Sequence, residues 1–329
     1  MDGPTEIYIE ILSFVYPTFL FTTLISHLFL LIFIIFFSPP HLKFLRILLL
    51  TTSIFDVLAT VINFYVQPRI VSGEQENVPV QCYGLCRYMY PEFCFAFYMG
   101  WQTISLAVGA SMTYTLFFKY YKITRTKSLS GWRLFLSLVL FYTPCLISMI
   151  CSAIIVMRNT TPANLRKNSE EKMGFNPRYL EMGRMTLGAL PNRINFLMMA
   201  QGIYVSPFLS FWFRWKANKN LKDTVSGGSL LLQKHTKSVM KGISLQVFIH
   251  FVCYIPLFSL YTYSILSETE ILAQQFFLAM SPNLAATFDP LINLYFVLPY
   301  RKQIKSWFCK EHTPVAPSGI ISRHLSTVE

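Results

Sequence analysis

Residues 14–37 read FVYPTFLFTTLISHLFLLIFIIFF, a run of 24 residues without a charged side chain. An α-helix needs about 20 predominantly apolar residues to cross the hydrocarbon core of a bilayer, so this run is long enough to span one. Six further apolar blocks follow it along the 329-residue chain. The seven blocks are 14–37, 47–66, 93–118, 134–156, 194–213, 242–265 and 274–298. The sequence therefore predicts an all-α membrane protein, a bundle of seven transmembrane helices over 14–298.

The composition of the chain agrees with a membrane protein and excludes other classes. Apolar residues make up 53% of it and charged residues only 13%, about half of the charged share usual in a soluble domain. The seven blocks together contain two formal charges, Asp56 and Asp289. This pattern excludes a soluble globular protein, a disordered chain and a nucleic-acid-binding protein.

The distribution of basic residues predicts the orientation of the chain. If the connections between blocks lie alternately on two sides, one side carries 19 of the 28 Lys and Arg residues. That side consists of 38–46, 119–133, 214–241 and 299–329. The N-terminal segment 1–13, on the other side, has three acidic residues and no Lys or Arg. Because cytosolic loops are enriched in Lys and Arg, segment 1–13 is predicted to be extracellular and the tail 299–329 cytosolic. The net charge of +12 then lies mainly beside the anionic lipid of the inner leaflet.

The cytosolic tail begins with an amphipathic pattern. Ile304, Trp307 and Phe308 are spaced at i, i+3 and i+4, and basic residues occupy the rest of the turn. This predicts a short amphipathic helix over about 300–310 that lies on the membrane surface. Cys309 is placed where a palmitoyl chain could attach, and an unmodified cytosolic thiol is the alternative interpretation.

No pattern of catalytic or metal-binding residues occurs in the sequence. It contains no H-E-x-x-H, no G-x-S-x-G and no phosphate-binding G-x-x-x-x-G-K-S/T, the motifs that would place a metal, a nucleophile or a nucleotide. Two of its histidines, His27 and His250, fall inside blocks, where a packed, hydrogen-bonded imidazole is the favoured interpretation. The sequence predicts no enzyme activity, no metal site and no cofactor.

The two intramembrane carboxylates predict a polar centre formed by Asp56, Asp289 and Asn293. An acidic side chain in the membrane interior is costly, so it must face the bundle and find partners or stay protonated. The candidate hydrogen-bonding partners are Ser53, Asn63, Asn283 and Asn293. We expect a centre, filled with water or a cation, that couples helix movements. A static interhelical hydrogen bond is the alternative, and a proton relay is a third.

A candidate ligand site lies near the outer end of the third block. Tyr98, Trp101 and Ser105 fall on one helical face, with Gln102 adjacent. An aromatic pocket with a few polar groups suits a small, mostly apolar ligand. Since Tyr and Trp are also enriched at membrane interfaces, simple interfacial packing is the alternative.

Three cysteines, Cys82, Cys86 and Cys94, lie at the predicted extracellular mouth. That compartment is oxidising, so a disulfide among them is expected. With three thiols one remains unpaired, and the residues alone leave the connectivity open.

Several short motifs resemble the nematode serpentine chemoreceptors of class delta (Srd). In the second block and its exit, Asp56 is followed by 66–71 (VQPRIV). Cys86, the last residue of Gly84-Leu85-Cys86, is followed eight residues later by Cys94. At the end of the seventh block, residues 288–301 read FDPLINLYFVLPYR. Gln246, early in the sixth block, also fits the pattern of this family. The resemblance covers nearly the whole chain.

This resemblance implies a G-protein-coupled type of receptor that binds a small environmental molecule from the extracellular side. It also implies a place in the plasma membrane, in the ciliary membrane of sensory neurons, a heterotrimeric G protein at the cytosolic face, and a disulfide between Cys86 and Cys94. The alternatives from other classes are a seven-span ligand-gated channel or transporter, which predicts a continuous polar stripe through the bundle, and an accessory membrane protein without a ligand.

The sequence departs from rhodopsin-like receptors where their switches lie. Residues 119–122 read KYYK where those receptors have Asp-Arg-Tyr, and 289–293 read DPLIN in place of Asn-Pro-x-x-Tyr. Tyr254 replaces the Trp of the Cys-Trp-x-Pro motif. The switch candidates are therefore Tyr254, Pro256 and Pro290.

Overall fold

A computed structural model of the chain describes residues 3–38, 43–71, 78–124, 131–159, 179–223 and 230–308. Most of these residues are helical. The helices are α1 (Gly3–Phe36), α2 (Lys43–Val66), α3 (Pro91–Thr124), α4 (Gly131–Asn159), α5 (Leu190–Ala200), α6 (Ser206–Asp223), α7 (Leu230–Ser267), α8 (Leu272–Phe277), α9 (Ser281–Phe296) and α10 (Leu298–Phe308).

Six helical stretches in the described ranges are long and apolar enough to cross a membrane. They are α1, α2, α3, α4, α7 and the pair α5–α6, which a π-helical turn at Gln201–Val205 joins into one stretch. Large apolar side chains such as Phe14, Phe208 and Leu140 are exposed on their outer surfaces. Exposed apolar side chains on membrane-length helices are the surface that contacts lipid, and the protein is a multi-pass membrane protein.

The central helix is α3, the most buried of the six membrane-length stretches. It packs against α2, α4, α6 and α7. Apolar residues surround its whole circumference, which is the pattern of a helix with neighbours on every side. Side chains on α3 are therefore positioned from several directions at once.

The seventh block forms a broken helix. The sequence predicts one span over 274–298, but the structure divides it into α8 and α9, with Pro282 in the first turn of α9. Proline has no backbone N–H, and in a continuous helix its ring would collide with the carbonyl of residue 278, four positions earlier. The chain therefore bends at this point before α9 packs against α1, α2 and α7.

Helices extend beyond the predicted spans at both membrane surfaces. Helix α1 begins at Gly3 instead of residue 14, α6 continues to Asp223, and α7 begins at Leu230. Helix α10 occupies the stretch where an amphipathic helix is expected, and its Trp307 ring lies 5.2 Å from that of Phe33. The lipidation candidate Cys309 lies outside the described residues.

A three-stranded antiparallel sheet covers the end of the bundle at which α3 begins. Its strands are β1 (Pro68–Ile70), β2 (Val78–Cys82) and β3 (Leu180–Met185), in the order β1-β2-β3. Along β2, alternate residues are buried, as expected for a strand with one face on the core. The sheet pairs the connection after α2 with the connection before α5, about a hundred residues away.

Gly84, just after β2, lies in close contact with the end of α2. A Cβ atom at this position would overlap the carbonyl oxygen of Tyr65 and lie 2.9 Å from the carbonyl carbon of Val66. These are backbone atoms, which cannot rotate away as a side chain can. The absence of a side chain at Gly84 therefore sets how closely the sheet approaches the helix.

We expect Gly84→Ala to lower the melting temperature of the detergent-solubilised protein by about 5 °C, because overpacking costs about 1–3 kcal/mol. Gly100→Ala is the matched control, since an added Cβ there meets no atom within 4 Å. Thermal unfolding of the two variants beside the parent protein tests this. Equal melting temperatures for the two variants would show that the sheet does not need this close approach.

Candidate ligand-binding site

A cavity of about 70 Å³ lies beneath the sheet, between α3, α5, α7 and the bend before α9. All four α3 residues predicted from the sequence line it: Tyr98, Trp101, Gln102 and Ser105. The other polar or aromatic side chains in its lining are Asn192, Asn195, Phe196, Tyr254, Phe258 and Tyr261. The strands contribute Ile70 and Met185 to its wall.

A chain of hydrogen bonds fixes one side of this cavity. Ser148 Oγ on α4 donates to Asn195 Oδ1 at 2.6 Å, and Asn195 Nδ2 donates to Gln102 Oε1 at 3.1 Å. Gln102 Nε2 in turn donates to the hydroxyl oxygen of Tyr98 at 2.7 Å. The Tyr98 ring stacks on Trp101 with 5.9 Å between centroids. Gln102 and Tyr98 therefore hold this side of the cavity wall in position. Ser148 and Asn195 were missed by sequence reasoning, because three helices must meet before their contacts exist.

Three other polar groups in the cavity wall have no hydrogen-bond partner among the described residues. They are Trp101 Nε1, Ser105 Oγ and Asn192 Oδ1, all buried. A buried polar group left without a partner costs about 1–3 kcal/mol. A bound molecule could supply the missing partners, and none of the lining residues of the cavity carries a formal charge at neutral pH.

The cavity continues toward the membrane interior. A second cavity of about 50 Å³ and a third of about 10 Å³ adjoin it, and the third is lined by Asp56. Ser105 and Tyr254 line all three. The Tyr254 ring also stacks on His250 at 5.7 Å. Tyr254, a predicted switch residue, therefore borders both the cavity beneath the sheet and the small cavity beside Asp56.

The predicted polar centre brings together buried groups from α2 and α9. Asp56, Asp289 and Asn293 are all buried, and the two carboxylates lie close enough to repel one another when both are ionised. Asp56 Oδ2 and both carboxylate oxygens of Asp289 have no hydrogen-bond partner among the described residues. Among the predicted partners, Ser53 bonds to His27, and Asn63 donates to Asn283 Oδ1 at 3.2 Å. Asn63 Oδ1 and Asn283 Nδ2 have no hydrogen-bond partner among the described residues.

His27 on α1 is the member of this centre that sequence reasoning did not assign to it. Pro290 lacks an N–H, so the carbonyl of Ala286, four residues earlier in α9, loses its helical partner. His27 Nε2 donates to that carbonyl at 3.0 Å, and its Nδ1 accepts from Ser53 Oγ at 2.7 Å. A carbonyl oxygen can only accept, so Nε2 carries a hydrogen. His27 Nε2 is also 4.0 Å from Asp56 Oδ2. One imidazole thus joins α1, α2 and α9.

Cys82, Cys86 and Cys94 form a compact cluster with one disulfide. Cys86 is joined to Cys94, which ties the turn after β2 to the first turn of α3. The Cys82 sulfur lies within 4.8 Å of the other two, and its thiol donates to the Val66 carbonyl at 2.9 Å. Burial raises the pKa of the Cys82 thiol to about 12. Cys82 is therefore a protonated, unreactive thiol at neutral pH.

The chain is similar to known proteins in sequence and in fold. The family model described as "Serpentine type 7TM GPCR chemoreceptor Srd" matches residues 12–306. Serpentine receptor class delta-40 of Caenorhabditis elegans is 34% identical over 304 residues, 92% of this chain and 94% of that protein. Serpentine receptor class delta-44 of the same organism is 30% identical over 301 residues, 91% and 92% of the two chains. Among solved structures, squid rhodopsin superposes with a TM-score of 0.54 over 94% of this chain and 87% of its own, at 11% identity. At that identity the likeness concerns the fold alone.

Cys82 should resist alkylation in the folded protein. At pH 8 a membrane-impermeant maleimide should not label it, whereas after denaturation the same residue should react fully, as mass spectrometry of its peptide would show. Because the pKa is raised on folding, stability from the buried thiol is present below its unfolded pKa and is lost as pH rises toward about 12. Stoichiometric labelling of the native protein would contradict this burial.

Loss of His27 should destabilise the bundle, and the cost should depend on Pro290. His27→Ala leaves the Ala286 carbonyl and the Ser53 hydroxyl without partners, which costs about 2–4 kcal/mol in the free energy of unfolding. In a Pro290→Ala background the restored N–H of residue 290 pairs with that carbonyl, so the cost should fall by about 1 kcal/mol.

Unfolding in mixed micelles of the single and double variants measures this coupling. The matched control combines His27→Ala with Pro256→Ala, a proline in α7 with no bond to His27, where the two effects should add. If the effects of His27→Ala and Pro290→Ala also add, the link between these two residues is contradicted.

Proposed function

This chain belongs to the Srd family of serpentine seven-transmembrane chemoreceptors, and on that premise we propose that it detects a small uncharged molecule from outside the cell. Bound ligand then signals through the cytosolic face to a heterotrimeric G protein. The resemblance inferred from short motifs and the seven-helix bundle of rhodopsin type are both confirmed. Family and fold support a chemoreceptor of G-protein-coupled type.

The observation that supports an uncharged ligand is the set of partnerless polar groups in a wall without formal charge. Trp101 Nε1 can only donate a hydrogen bond, Asn192 Oδ1 can only accept one, and Ser105 Oγ can do either. A molecule with a hydroxyl, carbonyl or ether oxygen satisfies these groups. A charged molecule would lose its hydration without meeting an opposite charge, which is far more costly.

The size of the cavity supports a small ligand. At about 70 Å³ it is well below the range of about 300–1,000 Å³ usual for drug-sized ligands. A few non-hydrogen atoms fill it as it stands, and a larger molecule must displace the side chains around it. Tyr254 is the side chain through which such a displacement would reach the inner cavities.

We infer that signal transmission runs from Tyr254 to the polar centre of Asp56, Asp289 and Asn293. Ligand that moves Tyr254 changes the small cavity beside Asp56, and Pro256 and Pro290 are the points at which α7 and α9 can bend. The N-terminus is extracellular and the tail cytosolic in this proposal. The basic connections 119–133 and 214–241 contact the G protein, and the receptor resides in the ciliary plasma membrane of sensory neurons.

Trp101→Phe should raise the half-maximal concentration of an oxygen-containing agonist about tenfold, because the ring remains and only the N–H is lost. For a hydrocarbon analogue of the same agonist the shift should be absent. Trp132→Phe, on the exposed face of α4, is the matched control and should change neither response. Dose–response curves in expressing cells give the comparison. Equal shifts for both agonists would show that Trp101 contributes by packing alone and donates no hydrogen bond to the agonist.

The receptor function itself is tested by ligand-evoked signalling in cells that express this chain. Second messenger and membrane current are recorded together during a broad panel of volatile and soluble molecules, with Gα-null cells as the control. A response that disappears without Gα supports the proposal. A current that persists without Gα would replace it with a channel, and silence to every ligand in cells with the chain at their surface would favour an accessory protein.

A further inference from the structure

A separate and much larger cavity, of about 660 Å³, lies between the N-terminal part of α1 and the turn that follows α2. It shares no lining residue with the cavity at Trp101 and Ser105. Its volume falls within the range usual for small-molecule sites. Its α1 wall runs from Glu6 to Pro17, which corresponds to about 16 Å along the helix axis.

The two long walls of this cavity carry opposite charge. Glu6 and Glu10, one helical turn apart, line the α1 side, and Arg69 and Arg87 line the side formed by β1 and the 3₁₀ turn after β2. A ligand with a single anionic head group would meet two carboxylates, and one with a single cationic group would meet two guanidinium groups. A head group with both charges matches both walls.

The Arg69 guanidinium is held in position before any ligand arrives. Its Nε donates to Gln275 Oε1 at 2.9 Å, its Nη2 is 3.8 Å from Glu270 Oε1, and its carbon lies 4.6 Å from the centroid of the Phe276 ring. The residue is only 9% exposed. Such a fixed group loses little side-chain entropy when it binds an anion, which favours affinity.

Further along α1 the lining of the cavity becomes apolar. Ile9, Leu12, Phe64 and Phe276 contribute hydrocarbon surface there. Tyr16 lies at the same end, is 2% exposed, and its buried hydroxyl has no hydrogen-bond partner among the described residues. This hydroxyl can donate to an oxygen atom placed between a polar head and an apolar tail.

The lipid-facing side of α1 runs beside this cavity. Ile7, Ile11 and Phe14 are 60%, 44% and 75% exposed and form an apolar stripe at helical spacing. That stripe begins within the first turns of α1, at the level of Glu6 and Glu10. A molecule dissolved in the adjacent leaflet is therefore next to the cavity without having to leave the membrane.

We propose that this cavity binds an amphiphile with a zwitterionic head group, with a phospholipid of the adjacent leaflet as its source. The anionic part of the head lies at Arg69 and Arg87, and the cationic part lies at Glu6 and Glu10. The tail follows the apolar wall, and an oxygen of the linkage accepts from the Tyr16 hydroxyl. Occupancy requires neither a chemosensory ligand nor a G protein.

Photo-crosslinking in nanodiscs tests this site on the full chain. The bulk lipid is phosphatidylglycerol, with a trace of phosphatidylcholine that carries a photoreactive acyl chain, and labelled peptides are identified by mass spectrometry. We expect label within 6–17. Replacing about one-tenth of the phosphatidylglycerol with unlabelled phosphatidylcholine should suppress it, whereas replacing the same share with phosphatidic acid should not. Equal suppression by the two lipids, or label spread evenly over lipid-facing helices, would overturn the proposal. Suppression by soluble glycerophosphocholine at the same low concentration would keep the zwitterion site and overturn its lipid source.

Matched variants distinguish a site from general lipid contact. Ile9→Trp fills the cavity and should abolish the specific label, whereas Ile7→Trp on the lipid-facing side of the same helix should leave it unchanged. Glu10→Gln and Arg87→Gln should each lower it about tenfold, the effect of one charge-assisted hydrogen bond. Glu268→Gln, an exposed acid outside the cavity, should not. Equal melting temperatures would show that the variants are folded, and specific label that survives Ile9→Trp would overturn the proposal.

Discussion

The hydrogen bond from His27 to the carbonyl of Ala286 shows the constraint on which the whole bundle depends. A bilayer core offers no water, so every buried polar group must find its partner within the protein. Pro290 breaks the internal bonding of α9 and frees this carbonyl, and a side chain from α1 satisfies it while bonding to Ser53 on α2. A proline that weakens one helix thereby becomes the point at which three helices are joined.

The same constraint explains why buried polar groups that lack a hydrogen-bond partner are informative. Most buried polar side chains near the outer cavity are paired, as in the chain from Ser148 through Asn195 and Gln102 to Tyr98. Partnerless groups occur at several places among the described residues, and two of these places are the cavity at Trp101 and Ser105 and the carboxylates of Asp56 and Asp289. Tyr254 borders both. Unsatisfied groups cost stability, so those that line these two neighbouring cavities mark places where a bound molecule or a movement is of use.

The two outer cavities differ in the physics of what they can hold. The cavity beneath the sheet is small and has no charged lining, so desolvation excludes ions from it and favours a neutral molecule. The cavity beside α1 is larger and has charges of both signs on opposite walls. One membrane protein can thus present two sites of different selectivity at the same end of its bundle, because each selectivity depends on charge placement more than on volume.

The sequence by itself determined the apolar blocks, the helical face of Tyr98, Trp101 and Ser105, and the family. These follow from composition, a period of 3.6 residues and short motifs, which are local properties of the chain. It did not predict the sheet, because its strands are short and the pairing of β2 with β3 joins residues about a hundred positions apart. Nor did it assign His27 to the polar centre, or show that the seventh block bends at Pro282.

Only the tertiary structure decided which polar groups are paired and which remain without partners. It joins Cys86 to Cys94, the pair that the resemblance implied, and it leaves Cys82 as a buried thiol. The physical reason is that the membrane requires satisfaction of polar groups but leaves open which distant residue provides it. Residues 27 and 286 are joined by the packing of two helices, and no local pattern encodes that contact.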